Sequence, residues 1–365
     1  MRTATLALEG ATPGARHELT VHAFGAAGGR PKIYVQAGLH ANEVPGMLVV
    51  HHLLALLRAH ETAGRITGEI VVTPLANPIG LGQRVLGTAV GRFHLTDGVN
   101  FNRDYPLLTP DLEWSDDPDA NRTAFRAALL GANAAIVATT PVQHLKRTLL
   151  GLALDADLVL DLHCDSQAPM HLYTLTPAAD AVAPLAALLG ARAVLLATES
   201  GGNPFDEACS RPWLLARERN PGRPIPLACT SVTVELRGRA DVSHAFAEAD
   251  AAALADYMIV AGAIDAPMPA IPAPSCAPTL LSASESLVAP AAGIIVFMVA
   301  AGDRVAAGQI VADIIDPVAG TCVQVRAQSE GVVFSLTNDR FAAAGHRLGE
   351  VAGTTLQRTG LLLTP

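Results

Sequence analysis

KIYVQAGLHANE (residues 32–43) begins as a short, almost unbroken apolar run, turns at a glycine and ends in histidine and glutamate. An apolar run of that length closed by a turn residue reads as a buried strand over 32–38. Proline at position 45 opens a helix over 45–60, in a first turn where its missing N–H does no harm. GEIVVTPLA (68–76) repeats the strand pattern. Further helices are predicted over 119–138, 178–190 and 243–263, and further strands over 157–163, 170–175, 193–197 and 230–236. Continuously apolar strands alternating with helices predict an α/β fold whose sheet is covered on both faces.

Two stretches interrupt that rhythm. Residues 91–118 and 198–228 have little periodicity, and the first is rich in Asn, Asp, Gly and Pro. A loop this long inside a compact domain is usually functional. DAPMPAIPAPSCAP (265–278) carries five prolines and reads as a semi-rigid linker. Beyond it, short β-like segments separated by Gly- and Asp-containing turns predict an all-β appendage. The predicted organisation is an α/β domain over 1–264, a linker over 265–279 and a β domain over 280–365.

Composition excludes several classes. The 365-residue chain is half hydrophobic and carries a net charge of −9. An acidic chain without a basic run is unsuited to nucleic acid or to an anionic membrane. No stretch reaches the roughly 18 uninterrupted apolar residues of a membrane span. The N-terminus lacks the apolar core of a secretory signal, and the five cysteines form no CxxC pair. Both features predict a cytoplasmic protein without a disulfide framework. Only two of the 25 basic residues are lysines, Lys32 and Lys146.

Polar residues gather where the predicted strands end. His40 and Glu43 follow the first strand, three residues apart, a spacing that can set an imidazole and a carboxylate on one metal ion. DLVLDLHCD places Asp161, His163 and Asp165 at the end of another apolar strand. Asp161 alternates in phase with His163 and is suited to orient its imidazole. Asn102 and Arg103, in the long loop, form a fork suited to a carboxylate. Glu235, late in TSVTVEL, is a candidate general base. Arg84, after NPIGLGQ, is a candidate for stabilising an oxyanion. Asp206 and Glu207 are candidates either for the wall of a substrate pocket or for the acidic first turn of a helix. Ligands of open α/β sheets bind beyond the carboxyl ends of strands, where these elements fall.

GLHANE (38–43), NPIGLGQR (77–84), NFNRDYP (100–106), DLHCD (161–165) and VEL (234–236), in that order, resemble the motifs of the succinylglutamate desuccinylase/aspartoacylase family, a branch of the zinc carboxypeptidase superfamily. The resemblance covers about residues 30–260. It implies a zinc-carboxypeptidase-like mixed sheet flanked by helices and one zinc ion per chain, held by His40, Glu43 and His163. It further implies that Glu235 is the general base and acid, that Arg84 polarises the scissile carbonyl, and that Asn102 with Arg103 hold the substrate carboxylate. Asn42 stands where many members have Asp. Tyr105, Tyr173 and Tyr257 are all candidates for the late tyrosine that some members of the superfamily use, and none is assigned.

Residues 287–352 resemble the biotinyl/lipoyl-type barrel-sandwich fold. No lysine occurs in 280–365, so covalent attachment of biotin or lipoate is excluded. The expected activity is zinc-dependent hydrolysis of the amide of a small N-acyl amino acid or related carboxylate. The alternatives are a metallocarboxypeptidase acting on peptides and a non-catalytic metabolite-binding pseudoenzyme. The expected partner is the small-molecule substrate, with no nucleic acid and no membrane; self-association is left open.

Overall fold

The computed structural model describes residues 1–10, 12–354 and 358–363. Strands β1 (Arg2–Glu9), β2 (Arg16–Gly25), β3 (Lys32–Ala37) and β4 (Glu69–Thr73) come first, followed by a small hairpin of β5 (Arg84–Val85) and β6 (Thr88–Ala89). The strands β7 (Leu158–Asp165), β8 (His171–Leu175), β9 (Ala193–Ala197), β10 (Thr230–Gly238) and β11 (Thr279–Leu280) follow. All but the hairpin join one nine-stranded sheet in the order β1-β2-β4-β3-β7-β10-β8-β9-β11. Its centre, β4-β3-β7-β10, is parallel. Antiparallel pairs β1–β2, β2–β4 and β10–β8 make the sheet mixed.

Helices α1 (Pro45–Thr62), α2 (Pro78–Leu81), α3 (Pro118–Ala134), α4 (Pro141–Ala153), α5 (Ala179–Leu188), α6 (Phe205–Arg219) and α7 (His244–Val260) complete the α/β domain. Helices α1, α5 and α7 bury one face of the sheet through residues such as Leu53, Leu185 and Leu254. Helices α3, α4 and α6 bury the other through Phe125, Leu149 and Trp213. Two apolar layers on one sheet explain why its central strands carry apolar residues at nearly every position.

Three elements differ from the sequence reading. The first thirty residues form two paired strands, whose mixed polar pattern hides their role at the sheet edge. Helix α4 was not predicted, although Thr140 and Gln143 form a capping box at its start. Segment 198–228, read as irregular, contains α6, which has Pro212 inside it.

The C-terminal residues form two four-stranded sheets. The first is β12 (Ser284–Val288), β19 (Arg347–Gly353), β17 (Gly331–Leu336) and β14 (Arg304–Val305). The second is β16 (Thr321–Arg326), β15 (Ile310–Asp316), β13 (Gly293–Phe297) and β18 (Phe341–Ala342). They enclose their own core, with Val333, Leu348 and Val351 fully buried. The proline-rich stretch ends in β11, which adds to the main sheet beside β9. The two parts also meet through a bridge between Gln167 and Leu336 and through Phe334, which is fully buried with Leu195 and Leu281.

Candidate active site

The central strands deliver their side chains to one place. In parallel register, Gln36 lies opposite Asp161, and Glu235 lies opposite His163. After β3 the chain turns at Gly38, whose φ of 70° belongs to the left-handed region that glycine adopts without strain. That turn brings His40 and Glu43 over the end of β7.

Each carboxylate oxygen of Glu43 faces a different imidazole. Oε1 is 3.0 Å from His40 Nδ1, and Oε2 is 2.9 Å from His163 Nδ1. The outer nitrogens are engaged elsewhere: His40 Nε2 is 2.9 Å from Asn100 Oδ1, and His163 Nε2 is 2.9 Å from Asp161 Oδ2. Acceptors at both Nε2 atoms favour the tautomers that leave the Nδ1 lone pairs pointing inward. Asp161 is itself held by Gln36 Nε2 at 2.9 Å, and Gln36 Oε1 accepts from the Tyr34 hydroxyl at 3.0 Å. This buried polar relay runs beneath the site.

Burial and its neighbours set the charges. Burial, with the Arg92 guanidinium adding, pushes His40 down to about 4. Burial would raise Glu43, but His40 and His163 outweigh it and hold the carboxyl well below its ordinary range. Burial would likewise lower His163, and the Asp161 and Glu43 carboxylates outweigh it and raise the imidazole well above its ordinary value. The Glu43 carboxylate is therefore kept ionised between the two Nδ1 atoms. One donor atom from each of His40, Glu43 and His163 lies within 4.8 Å of the others. Two imidazole nitrogens and a carboxylate, all buried and braced from behind, form a group able to hold a metal ion.

These residues line a cavity of about 290 Å³. Glu235, Asn102, Arg103, Asp206 and Glu207 share its wall. Burial pushes the Glu235 carboxyl up to about 8, with Glu43 and Asp165 adding and His163 opposing. Burial, with Glu207 and Asp161 adding, raises Asp206 to about 7. Both suggestions for the acidic pair hold together: Asp206 and Glu207 occupy the first turn of α6 and also face the cavity. Asn102 Oδ1 accepts from the Phe205 N–H at 2.8 Å, so its amide also caps the start of α6.

Arg84 is not brought to the other residues. It is exposed in the β5–β6 hairpin, where its guanidinium donates to the Gly87 carbonyl at 3.2 Å. The hairpin carries it away from the cavity, and Arg92 lines the wall instead. Arg92 Nη1 is 3.4 Å from Glu43 Oε1 and 3.2 Å from His40 Nδ1. Nothing in the local sequence distinguishes the two arginines; the returning hairpin does. Of the candidate tyrosines, Tyr173 lines the cavity, Tyr105 packs on Phe205, and the Tyr257 hydroxyl donates to the Ala181 carbonyl. His94 points to Asp97 at 2.8 Å and is not part of the wall.

Two further contributions were absent from the sequence reading. Lys146, buried on α4, donates to the carbonyls of Asn100 and Arg103 and so pins the loop carrying the fork. Leu281, Arg347, Glu350 and Leu363, all beyond the proline-rich stretch, complete the wall. Arg347 pairs with Glu350 at 3.0 Å.

A sheet with this edge and a buried His-Glu-His group define a hydrolase fold of the deacylase type. Residues 29–259 match the succinylglutamate desuccinylase/aspartoacylase catalytic domain, and the chain belongs to that family. A succinylglutamate desuccinylase/aspartoacylase family protein of Shewanella amazonensis SB2B is 27% identical and superposes with a TM-score of 0.83, covering 96% of this chain and 98% of its own. A second such protein, from Shewanella frigidimarina NCIMB 400, is 23% identical with a TM-score of 0.81, covering 96% and 97%. The product-bound ectoine utilization protein EutE (DoeB) of Ruegeria pomeroyi shares the fold at 20% identity and a TM-score of 0.65, covering 97% and 95%. No curated protein matches the sequence. No helix among the described residues is long and apolar enough to cross a membrane.

Proposed function

We propose that the protein is a zinc-dependent amidohydrolase that removes the acyl group from a small N-acyl amino acid or a related carboxylate. The observation that carries this reading is the placement of Glu43 between two inward-facing Nδ1 atoms, with Glu235 on the same cavity wall. His40, Glu43 and His163 would hold the metal. Bound there, zinc would act as a Lewis acid and lower the pKa of water toward neutrality.

The chain's own groups supply the rest. Glu235 has a buried Oε2 without a hydrogen-bond partner among the described residues; a cation held by the neighbouring group would favour its ionised form, which would take the proton of the attacking water and then pass it to the leaving amine. Arg92, rather than Arg84, would stabilise charge on the carbonyl oxygen. Arg103, with Asn102 shaping the adjoining α6 terminus, would hold the substrate carboxylate and set register. Arg347, Glu350 and Leu363 add to the lining of the cavity, and its limited volume favours a small substrate over a long peptide.

The test uses zinc-loaded protein with N-acetyl, N-formyl and N-succinyl amino acids and short peptides. Acyl release should exceed release of C-terminal residues, and the reverse result would replace this reading with carboxypeptidase activity. Glu235→Gln should retain its zinc while losing about 100–10,000-fold in turnover. Unchanged turnover in that variant would remove Glu235 from its role.

A further inference from the structure

We propose a second, peripheral metal site, made by His52 of α1 with His244 and Glu248 of α7, that takes a borderline divalent ion of the zinc, nickel or cobalt class. It lies in the helical layer over the sheet, outside the cavity, and does not depend on the activity proposed above. Helices α1 and α7 pack along each other. Where they do so, His52 Nε2 and His244 Nδ1 stand 3.0 Å apart, with the rings nearly perpendicular at 89°. Glu248 Oε1 is 3.9 Å from His52 Nδ1. One donor atom from each of the three residues lies within 4.8 Å of the other two.

The local geometry explains why these donors converge. His244 and Glu248 are four residues apart on α7, so they stack on one helix face, one turn apart. That spacing is the one by which a single helix offers two ligands to an ion. His52 approaches from the neighbouring helix and supplies the third. Zinc–nitrogen bonds of about 2.0–2.1 Å in a tetrahedral site separate donors by about 3.3 Å, close to the spacing of the imidazole pair. The Glu248 side chain is 64% exposed against 18% for His52. The histidine is therefore held, while the carboxylate is free to swing the remaining distance. Two imidazoles with one carboxylate favour zinc, nickel or cobalt over magnesium or calcium, which prefer oxygen-only ligands.

The position gives the ion a mechanical consequence. Helix α1 begins at Pro45, just after Glu43, and α7 follows β10, which carries Glu235. Arg237, near the end of β10, pairs with Asp250 on α7. An ion between His52 and His244 would clamp the two helices that back these active-site carboxylates.

The experiment uses tag-free full-length protein, stripped with a chelator, reloaded with zinc or nickel and desalted before elemental analysis. The wild-type chain should carry two ions, and His244→Ala and Glu248→Gln should each carry one. His163→Ala, which disrupts the cavity group, should still bind an ion that His163→Ala/His244→Ala does not. Nickel should raise the melting temperature of the His163→Ala protein, and the added His244→Ala change should abolish that rise. Equal stoichiometry in wild type and both α7 variants, or a single wild-type ion that His163→Ala loses and His244→Ala keeps, overturns the proposal. Circular dichroism of the variants separates loss of a ligand from loss of the fold.

Discussion

Lys146 is one of only two lysines in the chain, and it is spent inside the fold. Its ammonium holds the carbonyls of Asn100 and Arg103, fixing the backbone of the loop that presents the carboxylate fork. Burial lowers it to about 8, with Asp104 and Asp97 opposing. Lys146→Met keeps most of the apolar stem but removes both bonds. We expect kcat/KM to fall about 10–100-fold, mainly through KM, since a misplaced positioning group costs rate without touching the chemistry. Steady-state kinetics on the best acyl amino acid checks this. The two arginines make a paired test at the same scale. Arg92→Ala should lower kcat about 100–1000-fold, as loss of an oxyanion donor does. Arg84→Ala, in an exposed hairpin, should stay within a few-fold of wild type. The opposite ranking would restore Arg84 to the role implied by its motif.

At the scale of elements, Asp157 ties the first strand of the α/β unit to a helix. Its carboxylate accepts from the Lys32 N–H at 2.6 Å, from Arg126 of α3 at 2.6 Å and from Arg30 at 3.1 Å. Burial raises this carboxyl, and the Lys32 N–H with the Arg126 and Arg30 guanidiniums outweigh it, holding it below its ordinary range. A depressed carboxyl contributes stability that is present above its unfolded value, roughly pH 4, and is lost as pH falls through the folded value. Asp157→Asn should therefore destabilise by about 1–3 kcal/mol at pH 7, and the difference from wild type should shrink as pH falls below about 4. Urea denaturation at both pH values gives the answer. Strands and helices of the parallel centre were readable because both faces are buried, so apolar runs persist without interruption. Helix α6 was harder, because Pro212, Asp206 and Glu207 interrupt its apolar pattern. The β1–β2 pair was invisible because an edge strand leaves much of its length to water, and no apolar run marks it.

Across the whole molecule, Arg347 and Glu350 of the C-terminal sheets help line the cavity. Phe334 is fully buried where β17 meets the main sheet, and its ring lies 5.4 Å from that of His171 on β8. Phe334→Ala should cost about 3–5 kcal/mol of stability at this junction. It should also speed protease cleavage within 265–278 and raise the rate on bulkier substrates relative to small ones. Denaturation, limited proteolysis and a substrate-size series report the three effects. If cleavage and selectivity stay unchanged while stability falls, Phe334 serves only the core.

The residues alone were enough to establish the α/β alternation and the motif set from GLHANE to VEL, because burial period and turn chemistry are local. They also placed His40, Glu43, His163 and Glu235 at strand ends, since a polar residue closing an apolar strand is visible within a few positions. Folding alone settled which arginine reaches the cavity, what braces the fork, and that residues beyond 280 form part of the wall. Those outcomes depend on where a hairpin returns and on which distant surfaces pack together. Such contacts join residues far apart in the chain, and no local pattern encodes them.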